Sequence, residues 1–74
     1  MNNARRKIKR EAIALLSSAL ELLETVASEE EEAYYNMPDG LQASEKGEEI
    51  SNNIDTLQDA VDNLETMIEE LEYM

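Results

Sequence analysis

The sequence predicts an all-α fold: a long antiparallel helical hairpin, coiled-coil-like, that turns at about Asn36–Gly40 and dimerises into a four-helix bundle. Three observations predict it. Apolar residues recur at alternating spacings of four and three on both sides of the chain's only proline, Pro38, which is the spacing of one stripe along an α-helix. The segment around that proline, "NMPDG", has turn chemistry, because proline presets the backbone of a turn and glycine accepts positive φ. Finally, a chain of 74 residues with no cysteine and no histidine has neither a disulfide nor an imidazole metal site to support a small core, so a partner chain is the remaining support. Residues 1–74 read as one domain, with helix 1 at about 4–35, the turn at 36–40 and helix 2 at about 41–73.

Helix 1 opens on a basic cluster. Five of the six basic residues, Arg5, Arg6, Lys7, Lys9 and Arg10, lie within six positions, and from Ala12 onward there are seventeen acids and one lysine, Lys46. The start resembles a signal peptide only in its charge, since Glu11 and Glu21 interrupt the apolar run that follows. No stretch is long and apolar enough to span a membrane, so the expectation is a soluble, cytoplasmic protein. A net charge of −12 argues against direct contact with nucleic acid or an anionic membrane.

Two apolar stripes run along helix 1. The first is Ile8, Ala12, Leu15, Ala19, Leu22 and Val26; the second is Ile13, Leu16, Leu20, Leu23 and Ala27. Helix 2 carries one strict stripe, Ile50, Ile54, Leu57, Val61, Leu64, Ile68 and Leu71, with β-branched residues at one core position and mostly leucine at the other, as coiled coils prefer. A fold at Pro38 pairs the first stripe with it symmetrically: Ile8 with Ile68, Ala12 with Leu64, Leu15 with Val61, Ala19 with Leu57, Leu22 with Ile54 and Val26 with Ile50. This register sets the basic cluster against Glu65, Glu69, Glu70 and Glu72 as a clasp. It leaves Ile13, Leu16, Leu20 and Leu23, widened by Ala60 and Met67, as an exposed strip and therefore as the oligomer interface.

Toward the turn the rhythm changes. Glu29, Glu30, Glu31 and Glu32 crowd the C-terminal end of helix 1, where the macrodipole disfavours anions by about 0.3–1 kcal/mol each, while Asp39, Glu45, Glu48 and Glu49 sit near the start of helix 2, where anions are favoured. Tyr34, Tyr35 and Asn36 stand between them, and Gly47 marks a kink or local unwinding. Carboxylates flanking tyrosines suit a protein partner with a basic surface. They do not suit catalysis or a dedicated metal: the helical carboxylate pairs lack the Glu-x-x-His motif of dimetal bundles, and neither cofactor nor catalytic residue is expected.

The run "EEEAYYNMPDGLQASEKGEE", followed by "I..L..A...L..MI..L", resembles a group of short acidic proteins carried by phages, prophages and mobile elements of Gram-positive gut bacteria. The positions that carry the likeness are Glu30 to Glu32, Tyr34, Asn36, Pro38, Leu41, Gln42, Ser44, Glu45 and Glu48; Lys46 stands where that pattern has arginine. The resemblance implies a phage-linked setting and no particular activity. In that setting the leading expectation is an interaction module that inhibits or regulates a host protein through its acidic tip, including an anti-defence role. The alternatives are an oligomeric bundle that sequesters a small anionic nucleotide messenger through Arg5, Arg6, Lys9 and Arg10, or a purely structural virion or assembly protein.

Overall fold

The computed structural model describes residues 1–74 as three helices, α1 (Asn3–Tyr35), α2 (Asp39–Gln42) and α3 (Glu45–Glu72), with no strand. α1 and α3 pack antiparallel into a rod of 58 × 14 × 14 Å. No helix is long and apolar enough to cross a membrane.

Local chemistry explains each boundary. The Asn2 side chain caps α1 by accepting from the Arg5 backbone N–H at 2.9 Å, which satisfies one of the donors a helix start leaves without a partner. Asn36 closes α1, its N–H donating back to the Glu32 carbonyl and that of Met37 to the Tyr34 carbonyl, and Pro38 two residues after Asn36 cannot continue the helix. The Pro38 carbonyl then accepts from the Leu41 and Gln42 amides at 2.8 and 3.0 Å, which winds α2 into a single turn. Ser44 is extended (φ −82°, ψ 171°), and its hydroxyl accepts from Gly47 N–H at 3.4 Å and starts α3. The connection therefore runs through Ser44, four residues past the expected end of the turn. No residue has positive φ, so Gly40 does not serve the turn in the way its sequence context suggests.

The α3 stripe faces α1 as its spacing predicts: Ile50, Ile54, Leu57, Val61, Leu64, Ile68 and Leu71 are all half-buried. On α1 the stripes are exchanged. Ile13, Leu16, Leu20 and Leu23 are half-buried and Ala27 is buried at 7% exposure, whereas Ile8, Leu15 and Leu22 of the first stripe are 64%, 73% and 70% exposed. The expected oligomer strip Ile13, Leu16, Leu20 and Leu23 is thus the α1 side of the intrachain seam, and the α1 stripe expected there is exposed except at half-buried Ala19. The two stripes are offset by one residue, about 100° around the helix, so a rotation of α1 by that angle exchanges them.

The axial register differs as well. Symmetry about Pro38 would place Lys9 opposite Met67 and Glu30 opposite Lys46. The structure brings the Lys9 ammonium 3.0 Å from the Met74 carbonyl oxygen and Glu30 to Asn53, each seven residues further along α3, and Glu31 to Gln58, thirteen further. This slide of a heptad or more keeps the α3 stripe on the seam and accompanies the longer connection. It also undoes the expected clasp, because residues 1–8 are all exposed and lie beyond Met74. The only ion pair in the chain joins Lys46 and Glu49 at 3.8 Å, near the tip.

Candidate protein interface

Two surfaces stand out on the rod: its acidic tip and one long apolar face. The tip is built by the α1–α2–α3 joint. Gln42 Nε2 donates to the Tyr34 carbonyl at 2.9 Å and to the Met37 carbonyl at 3.3 Å, supplying a donor to the acceptor-rich end of α1. Gly47, one of only two buried residues, lets the end of α2 rest on the first turn of α3. A Cβ there would lie 2.6 Å from the Leu41 carbonyl oxygen and closer still to that of Gln42. The glycine thus provides a close backbone approach rather than a kink, since α3 is unbroken from Glu45 to Glu72.

The expected partner-binding residues fall into two groups. Glu30 and Glu31 are half-buried at the margins of the seam and accept from the side-chain amides of Asn53 (3.2 Å) and Gln58. Tyr34 is half-buried beside Gln42, Gly47 and Ser51, and Asn36 is the α1 cap. These four are tied into the hairpin. Glu29, Glu32, Asp39, Glu45, Glu48 and Glu49 are exposed, and so is Tyr35 at 76%, its ring meeting that of Tyr34 edge to face at 5.8 Å and 76°. The tip therefore presents six exposed carboxylates, one of them (Glu49) paired with Lys46, around one exposed phenol. Glu45 and Glu48 in the first turn of α3 also complement its dipole. Nowhere do three or more carboxylates converge in a way that could hold a metal ion.

At the opposite end Arg5, Arg6 and Arg10 are exposed and have no ion-pair partner, while Lys9 is half-buried and occupied by the Met74 carbonyl. Of the proposed anion-binding set, Arg5 and Lys9 share one line of α1 and Arg6 and Arg10 the next, so the helix spreads the four over two faces.

The apolar face is the feature the exchange of stripes creates. Ile8, Ala12, Leu15, Ala19, Leu22 and Val26 run along its α1 side. On α3, Asn53, Ala60, Met67 and Met74 follow one another every seven residues and so form one line of that helix. Asn53 shares a groove with Val26, Glu30, Thr56 and Leu57, which puts this line on the same side of the rod as the exposed α1 stripe. On this line Met67 is exposed and Ala60 half-buried, and both stand beside other α1 residues than the sequence suggests.

The roles of Gln42, Asn53 and Gln58 escaped the sequence reading. Ser44 before two glutamates was the available sign of a helix start; the amide contacts depend on register and carry no local signature. Compared with protein-family models, curated proteins and solved structures, the chain matches none.

Proposed function

We propose that the chain is a protein-interaction module of a phage-linked setting, whose acidic tip occupies a basic surface of a host protein and so inhibits or regulates it. The observation that carries this reading is the cluster of six exposed carboxylates around Tyr35, with Lys46, itself drawn toward Glu49, as the one cation among them. Charge of one sign held on a rigid end steers encounter, and an exposed tyrosine is a common anchor in protein interfaces. Self-association belongs to the same reading, as two hairpins forming a four-helix bundle. A chain in which 2 of 74 residues are buried has little core of its own, and small folds of this kind gain stability by pairing.

The test is capture of proteins from a Gram-positive host extract by the immobilised chain and by a variant carrying Glu32→Gln, Glu45→Gln, Glu48→Gln and Tyr35→Ala. A partner captured by the parent, displaced by moderate salt and lost with the variant is the expected result. Equal capture by both chains would contradict the role of the tip.

A second reading is favoured by the free basic end. Arg5, Arg6 and Arg10 are not engaged by α3, which leaves them able to meet an anionic nucleotide messenger in an oligomeric bundle. Thermal stabilisation by nucleotides that disappears with Arg5→Ala and Arg6→Ala would support it; no stabilisation by any nucleotide would remove it.

A further inference from the structure

We propose that the apolar face is covered by a second copy of this chain lying antiparallel, α1 against α1 and α3 against α3, about a two-fold axis that crosses α1 near Ser17 and α3 near Met67. This rests on the self-association proposed above and assigns it a surface, a direction and a register.

The α1 stripe is complementary to itself when turned end for end about its midpoint. Ile8 then meets Val26, Ala12 meets Leu22 and Leu15 meets Ala19, so in each of the inner layers a bulky side chain faces a small one. Alternation of large and small across facing positions is what lets helical layers interdigitate without voids. The same operation on α3, taken about Met67, sets Ala60 opposite Met74 and Met67 opposite its own copy. The two midpoints coincide in the hairpin. A groove joins Ser17 and Leu20 to Ile68 and Glu69, so Ser17 stands level with the residue next to Met67. One axis therefore serves both apolar lines at once. Had the lines been out of step, covering one would have left the other sliding into water.

Charge selects the same direction. The antiparallel register sets Arg5, which has no partner within its own chain, opposite Glu29 of the second copy, and brings the whole basic end alongside the Glu24–Glu32 stretch. It also sends the two acidic tips to opposite ends of the assembly. The other symmetric way to cover the face, with the axis along the rod, would hold both tips side by side. Six exposed carboxylates of one chain would then stand across a rod only 14 Å wide from the same six of the other. Screening over about 8 Å at physiological ionic strength weakens this repulsion, so it acts against the parallel arrangement most strongly at low salt. An isologous dimer with its tips apart avoids that repulsion and pairs the basic ends.

The chain has no cysteine, so Ala4→Cys provides a single exposed attachment point for a spin label near the start of α1. Thirteen residues separate it from the axis on either side, and the antiparallel arrangement therefore predicts a label-to-label separation of about 40 Å at 1.5 Å per residue. A dipolar distance near that value, lost when Leu15→Glu and Leu22→Glu are added, is the expected result. A separation below about 25 Å would establish the parallel arrangement and overturn the proposal, as would the absence of any dipolar coupling in the parent chain. Circular dichroism follows the fold of the double-glutamate chain; should it unfold, the distance in the Ala4→Cys chain decides alone. No host protein enters this measurement. A 40 Å separation combined with unimpaired capture by the tip variant would refute only the function of the tip, and a monomer whose capture depends on the tip would refute only the dimer.

Discussion

The two broad faces of the hairpin are made by the same two helices and differ in nearly every residue. One carries Ile8, Leu15, Leu22 and Val26 of α1 beside Ala60 and Met67 of α3. On the other, grooves are lined by Ser17, Glu24, Ser28 and Glu31 of α1 with Gln58, Asp62, Glu65 and Glu69 of α3. A hairpin stable as a single rod would have no reason to concentrate leucine on one outer face and carboxylate on the other. The asymmetry is what the proposed dimer calls for: the seam holds α1 to α3, and the apolar face would take the second copy. The difference also teaches where specificity lies. The seam uses one of two equivalent stripes on α1, and the joint at the tip decides which.

That dependence makes the joint the sharpest place to break the contrast between the faces. Gly47→Ala places a methyl group against the Leu41 and Gln42 carbonyls, and overpacking against backbone costs about 1–3 kcal/mol. The expected outcome in chemical denaturation is a loss of that size. It should be accompanied by weaker self-association, because a displaced α2 turns α3 and carries Ala60 and Met67 away from the α1 leucines. Gln42→Ala removes the two hydrogen bonds to the end of α1 and should cost about 1 kcal/mol, with faster amide exchange confined to the region around Asn36. Gly40 offers the opposite sign. It has open space around its Cβ position and no positive φ, so Gly40→Ala should stabilise by about 0.4–1 kcal/mol, seen as a higher unfolding midpoint. A destabilising Gly40→Ala would show that the joint needs a conformation other than the one described.

Much of this architecture is legible in the sequence. Helix 1, the α3 stripe from Ile50 to Leu71 and the acidic tip can each be read from spacing and charge. The choice of stripe on α1 cannot, because Ile8–Val26 and Ile13–Ala27 have the same four-and-three rhythm and differ only by one residue. Nor does symmetry about Pro38 fix the register. A heptad pattern slid by seven residues matches itself, so Ile8 finds an apolar partner in several alignments. What distinguishes them is the length of the connection, and that depends on Gln42, Ser44 and Gly47 acting together across residues 34–47. The same long-range dependence hides the pairing of Glu30 with Asn53 and of Glu31 with Gln58, which ties two of the four glutamates Glu29–Glu32 to the margins of the seam.

Leu20 serves the seam and Leu22 the outer face, although a single residue, Glu21, stands between them. Thermal unfolding of the parent, Leu20→Ala and Leu22→Ala chains over a wide dilution series tests this directly. Leu20→Ala should lower the midpoint at every concentration, since it weakens the hairpin itself. Leu22→Ala should change the midpoint little at high dilution and remove the rise with concentration expected of the parent, because association stabilises only a chain that can pair. The reverse pattern, with Leu22→Ala costing stability at every dilution and Leu20→Ala abolishing the concentration dependence, would contradict the account and restore the other stripe to the seam.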